Sequence, residues 1–285
     1  MPASSRLLEV GLLKVRSARG APMLDETIQL GAQLARAAEH RGELVSFGGE
    51  SAYLKASPLR AGSSRRHALR FHLLRAPAPR LQEYANLCWL RRAGFGAALP
   101  LAAGASWRAG APRFQFLLTR RVRDGVTLDQ ALMAADPESR AAILDRLASE
   151  VARMHGLRFV HRDLFPRNLL VSDAAAAPRI TMIDCWAGGR GCQRRGPSYD
   201  LACLFLDGAQ LFEPLEQAVF LRRYLAARRI EGTGAAQSLV RRIRRERQGL
   251  VAKLRRDPAR LHGKPAPGDW PPEGLHRMVD GSSPS

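Results

Sequence analysis

The chain has 285 residues, 46 % of them hydrophobic, and carries 45 Lys and Arg against 26 Asp and Glu, a formal charge of +19. That length buries a real core, as one large domain or two modest lobes, and no run of roughly 18 or more apolar residues reads as a membrane span. The charge calls for a polyanionic partner such as nucleic acid, anionic lipid or a phosphorylated glycan, but an aromatic content of 6 % without a helix-turn-helix, zinc-finger or RNA-binding signature sets specific nucleic-acid binding aside.

The N-terminus has no long apolar core and carries Glu9 among its leucines, so it does not read as a secretory signal and a cytoplasmic location is expected. Thr27 to His40 has the pattern of a weak amphipathic helix. Glu43 to Lys55 reads as strand, glycine turn (Gly48, Gly49) and strand. Pro58 to Arg80 is basic and reads as a loop with, at most, a short helix. Leu81 to Arg92 follows as a helix, with Leu81, Tyr84, Leu87 and Cys88 on one face and Gly94 as its stop. Phe114 to Thr119 is a short apolar strand.

Thr127 to Gln130 has the form of a capping box. Asp136-Pro137-Glu138 opens a helix with a buried stripe through Ile143, Leu147, Val151 and Met154. Asn168 to Val171 and Ile180 to Ile183 are short strands, and Leu201 to Leu206 is a buried helix start. Leu221 to Arg256 is a basic amphipathic helical region. Beyond His262 the chain is rich in Pro, Gly and Ser and is expected to fray. The four cysteines, Cys88, Cys185, Cys192 and Cys203, form no CxxC pair and read as free thiols.

The sharpest signal is His161-Arg-Asp163-x4-Asn168, followed by an apolar strand ending in Ile183-Asp184. Phosphoryl transfer from ATP needs metal ions on the phosphates, a group that orients the acceptor hydroxyl, and positive charge on the group transferred. Asp163 suits the acceptor-orienting base. Asn168 and Asp184 offer the sparse oxygen set that Mg2+ uses alongside phosphate. A strand pair joined across Ser172 to Pro178 returns these groups to one edge.

On these residues the chain resembles the protein-kinase-like superfamily, and within it the bacterial lipopolysaccharide kinases that phosphorylate Kdo or heptose. The likeness runs from about residue 43 to 230. It rests on Tyr53-Leu54-Lys55, the basic stretch, Arg80-Leu-Gln-Glu83-Tyr84-x-Asn86-Leu87, the catalytic loop and Asp184. It implies an α+β, two-lobed fold with a small β-rich N-lobe and a larger helical C-lobe. Lys55 then contacts the ATP phosphates with Glu83 holding it, Gly48 and Gly49 lie over the nucleotide, and His161 and Asp200 support the catalytic loop. The expected divisions are an N-terminal extension (1–40), the N-lobe (41–123), the C-lobe (124–262) and a disordered tail (263–285).

The pattern departs from the superfamily in three places. Gly48-Gly49 stands for GxGxxG. Cys185-Trp186 replaces Phe-Gly after Asp184, with Trp186 taking the packing role and Gly188-Gly189 the flexibility. Phe165 stands where Lys is usual, with Arg167 supplying the charge. The expected cofactors are ATP and Mg2+. The expected partner is an anionic glycan or glycolipid, reached at an anionic membrane surface on the inner face of the inner membrane. A protein kinase, a small-molecule kinase of the aminoglycoside or choline type, and a nucleotide-binding pseudokinase are the alternatives.

Overall fold

The computed structural model describes residues 8–10, 13–17, 21–74, 76–172, 177–191, 196–206, 208–231, 234–257 and 267–280. The chain divides into two compact units, Met1–Arg123 and Asp124–Ser285.

The first unit is built on an antiparallel sheet. Its elements are β1 (Leu8–Val10), β2 (Leu13–Ser17), α1 (Ala21–Ala37), β3 (Arg41–Phe47), β4 (Glu50–Pro58), α2 (Ala61–Leu74), α3 (Pro79–Arg92), β5 (Pro100–Arg108) and β6 (Ala111–Arg120). The strands lie in the order β1-β2-β5-β6-β4-β3. Alternation along β4 decides what faces what. Ala52, Leu54 and Ala56 join Phe114, Phe116 and Leu118 in a core that Leu34 of α1 enters, with Met23, Leu24 and Ile28 packed against it. Lys55 points to the opposite face, where α3 packs. The basic Pro58–Arg80 stretch, expected as a loop, contains the 14-residue helix α2.

The second unit holds β7 (Val126–Thr127), α4 (Leu128–Ala134), α5 (Pro137–Gly156), β8 (Phe159–Val160), a 3-10 turn (Pro166–Asn168), β9 (Leu169–Ser172) and β10 (Arg179–Met182). It continues with β11 (Gly189–Arg190), α6 (Gly196–Leu204), α7 (Gly208–Leu211), α8 (Pro214–Ala227), α9 (Ala235–Arg256) and α10 (Leu275–Asp280). The two sequence-legible caps are present. Thr127 and Gln130 close a capping box on α4, and the Asp136 carboxylate accepts from the Ser139 N–H at the start of α5. The stripe of α5 packs on α8, and α6 packs on α9.

The expectation of fraying beyond His262 is corrected for residues 267–280. Trp270 is buried, stacks on Phe205 at 5.8 Å, and donates its indole N–H to Gln217 Oε1 at 2.8 Å. Arg247, buried in α9, donates to the carbonyls of Phe205, Leu206 and Gly268. A single aromatic anchor and a buried arginine order a segment whose composition alone reads as linker.

Candidate active site

In the first unit Lys55 and Glu83 meet. Lys55 Nζ stands 3.5 Å from Glu83 Oε1, and the carboxylate is only 1 % exposed. Arg80, one helical turn earlier, donates to the other oxygen, Oε2. Glu83 is thus a buried carboxylate with two cations, and Arg80 is a member the sequence reading did not assign. Its backbone N–H is itself held by Gln115 Oε1 at 3.1 Å. A buried charge is tolerated only when paired in this way.

Gly48 and Gly49 lie at the far end of the hairpin from the middle of β4, where Lys55 sits. They form the β3–β4 turn, and Lys55 lies six residues beyond Gly49 on β4, roughly 20 Å along an extended strand. A side chain at Gly48 would overlap Met23, and its N–H donates to Glu26, so the turn is moulded to α1. Gly49 borders a cavity of about 510 Å3 with Glu50, Ser51, Arg120, Arg121 and Arg123. The glycine opposite Lys55 is Gly42, its register partner on β3. Which end of a hairpin a mid-strand lysine faces has no sequence signal.

In the second unit the groups of the His161-to-Asn168 motif and Asp184 converge. The β9–β10 ladder pairs Leu169 with Met182, and the Ile183 N–H donates to the Asn168 carbonyl at 3.0 Å. Asn168 and Asp184 therefore sit at the same end of the ladder, as the sequence reading required; the turn that joins the strands lies in part (173–176) outside the described residues. Asn168 Nδ2 donates to both the carbonyl and Oδ2 of Asp163, at 2.8 and 3.0 Å. That fixes the amide and turns its Oδ1 the other way. Asp184 follows β10 with φ +60°, a left-handed conformation that costs free energy outside glycine.

Asp163 is raised from the usual carboxylate value to about 6. Burial is the main cause, and the neighbouring Asp184 adds to it. The Arg167 charge and the Asn168 hydrogen bond oppose it. Arg167 is exposed and lies over the Phe165 ring at 4.3 Å, close enough for its charge to act on Asp163. His161 is fully buried, and burial drives its imidazole pKa down against the pull of Asp200 and Asp184.

Asp200, fully buried, accepts from the backbone N–H groups of His161 and Arg162, each at 2.7 Å. Its Oδ2 also meets His155 Nε2 at 3.1 Å, and His155 Nδ1 meets the Tyr224 hydroxyl at 2.9 Å. A carboxylate only accepts, so His155 Nε2 carries the hydrogen. Burial pushes the Tyr224 phenol up, so the hydroxyl stays protonated. His155 and Tyr224 were missed in the sequence, where His155 reads as the end of a helix.

Two further expectations change. Trp186 is 39 % exposed, whereas Cys185 is fully buried, so the cysteine fills the interior position expected of the tryptophan. Gly188 serves close approach: a side chain there would overlap the carbonyl oxygens of Val160 and His161.

A lysine steadied by a helix carboxylate in one unit, and an aspartate-asparagine-aspartate set behind paired strands in the other, define a protein-kinase-like phosphotransferase fold. The chain matches the model described as the lipopolysaccharide kinase (Kdo/WaaP) family over residues 26–205. It belongs to that family, and it is a kinase. No curated protein matches it in sequence.

Among solved structures it is similar to "WaaP in complex with acyl carrier protein", at 19 % identity and a TM-score of 0.50, covering 81 % of this chain and 92 % of that one. It is also similar to a microcompartment-associated aminopropanol kinase, at 15 % identity and a TM-score of 0.42, covering 97 % and 88 %. A third is the PknI kinase domain of Mycobacterium tuberculosis, at 20 % identity and a TM-score of 0.35, covering 61 % and 70 %.

Proposed function

We propose that this kinase transfers the γ-phosphoryl group of ATP to a sugar hydroxyl, Kdo or heptose, of a lipopolysaccharide core. The observation that carries the reading is the Asp163–Asn168 pair, locked by two hydrogen bonds beside Asp184. The donor set fits magnesium. Asn168 Oδ1 and the Asp184 carboxylate are hard oxygen donors, a pair that phosphate oxygens complete. Among the described residues no three His, Cys, Asp or Glu side chains form a self-sufficient metal site.

In this reading Asp163 accepts the hydrogen of the sugar hydroxyl and aligns its oxygen. With a pKa of about 6 it is mostly ionised at neutral pH, yet basic enough to draw on that proton. Arg167 faces the charge of the transferred group. Lys55, steadied by Glu83 and Arg80, holds the nucleotide phosphates. Asn168 and Asp184 hold Mg2+, which when bound offsets the phosphate charge. Asp200 keeps the loop carrying Asp163 in place, with His161 packed inside it. The positive charge of the chain suits an acceptor that bears carboxylates and phosphates.

The test is transfer from radiolabelled ATP to purified core oligosaccharide, with peptide and aminoglycoside as parallel acceptors. Label on the oligosaccharide, lost in Asp163→Ala and Asp184→Ala, supports the reading. Label on another acceptor alone overturns it.

A further inference from the structure

The helix α2 is built inside out. Ser64, Ala68 and Phe71, spaced i, i+4, i+7, form its inward side. Ser64 is buried and donates its hydroxyl to the Pro112 carbonyl at 2.6 Å, and Phe71 packs on Trp107 at 4.7 Å. Arg66, Leu69, Arg70 and Leu73 carry the i, i+3, i+4, i+7 spacing of the opposite side. Leu69 is 60 % exposed, and Leu73 and Leu74 are each 71 % exposed. A helix with only water to face turns its leucines inward; this one gives the interior a serine, an alanine and one phenylalanine, and leaves all its leucines outside.

The charge around that stripe is of one sign. From Pro58 to Arg80 the sequence holds no Asp or Glu, and Arg65 is exposed beside the stripe. Among the described residues, the side-chain hydrogen bonds of Arg66 are to its own helix, at Gly62 and Ser63. Single exposed leucines are unremarkable on a protein surface. Two on one stripe interleaved with two arginines, and a third at the helix end, put apolar side chains and guanidinium groups together on one exposed face, a mixture suited to a lipid interface. There leucines enter the acyl boundary while arginines meet anionic headgroups. The stripe is a convex helix face rather than a groove, which suits a bilayer surface better than a protein partner.

We propose that α2 is a membrane-docking helix, inserting Leu69, Leu73 and Leu74 into an anionic lipid surface with Arg65, Arg66 and Arg70 on the headgroups. This placement is independent of the acceptor: vesicle binding needs neither ATP nor sugar, and transfer to a soluble oligosaccharide needs no vesicle.

Co-sedimentation of the full chain with phosphatidylcholine vesicles, with and without phosphatidylglycerol, tests it. Wild type is expected to bind the anionic vesicles. Leu69→Ser/Leu73→Ser keeps every charge and is expected to bind at least ~10-fold more weakly. Arg65→Gln/Arg66→Gln/Arg70→Gln is expected to lose the preference for anionic lipid. Leu215→Ser, at a leucine 65 % exposed in the other unit, serves as the control and is expected to bind as wild type. Unchanged circular dichroism and oligosaccharide transfer keep a folding defect apart from a docking defect. Full vesicle binding by the leucine variant reduces the effect to unspecific charge attraction and overturns the proposal. So does capture of an acidic protein through this face with no vesicle binding.

Discussion

Asp163 is asked to ionise where burial opposes it, and that has a stability consequence with a definite sign. Its folded pKa is about 6 against an ordinary 3.8, so the folded chain binds this proton more tightly than the unfolded chain does. Below about pH 3.8 both states hold the proton. As pH rises toward 6 the unfolded chain releases it first, and stability falls. Above about 6 the loss is complete, about two units at ~1.36 kcal/mol each, or ~3 kcal/mol. Asparagine cannot ionise, yet it keeps an oxygen to accept the hydrogen bond from Asn168 Nδ2. Asp163→Asn should therefore be ~3 kcal/mol more stable than wild type near neutral pH, with the difference shrinking toward zero at about pH 4. Turnover should fall at least ~100-fold, the usual scale for a positioned acid–base group. Denaturant unfolding of both proteins across that range isolates the effect, because every other carboxylate titrates in both. The wild-type pH–rate profile should also show an acid limb near 6. A stability difference that stays constant from about pH 4 to 7.5, or Asp163→Asn the less stable at neutral pH, would refute the reasoning.

Three other substitutions probe the scaffold. His155→Leu removes one partner of Asp200 and orphans the Tyr224 hydroxyl; it should cost ~2 kcal/mol in denaturant unfolding and lower kcat more than it raises KM. Gly188→Ala places a methyl group on the Val160 and His161 carbonyls, backbone atoms that cannot rotate away. It should cut turnover at least ~10-fold with a lowered Tm. Arg247→Met leaves up to three carbonyl acceptors without their buried donor. It should destabilise by ~2–4 kcal/mol and open 267–280 to proteolysis, while the Asp163 limb of the pH–rate profile stays in place.

Local signals carried the reading wherever a side chain acts on its own backbone or at a fixed spacing. The Asp136 cap, the Thr127 capping box and the strand-end positions of Asn168 and Asp184 are of this kind. The Lys55–Glu83 pair needed the resemblance, since 28 residues of sequence hold no rule for pairing them. The misreadings have physical causes. Pro100–Arg108, for which no element was expected, forms β5 and offers no apolar alternation, because nearly all of it is buried. Pro58–Arg80 looked like a loop because the helix within it carries its leucines outward.

The spacing Asp163-x4-Asn168 names reactive groups, but the work of holding them falls elsewhere. Arg162 and Asp184 both sit at positive φ, +62° and +60°, each at a cost on the order of 1 kcal/mol or more. That backbone stays in place because Asp200, 38 residues beyond Arg162, accepts both loop N–H groups at 2.7 Å, bonds strengthened by the carboxylate charge. It is closed on the other side by Gly188, the one residue type that leaves room for the Val160 and His161 carbonyls. Strain at the motif and its compensation are thus separated along the chain, and a motif pattern records only the first of them. A sequence bearing Asp163, Asn168 and Asp184 without a buried carboxylate at 200 or a glycine at 188 would carry the same signature on a loop free to relax, and on this argument would be a weak phosphotransferase.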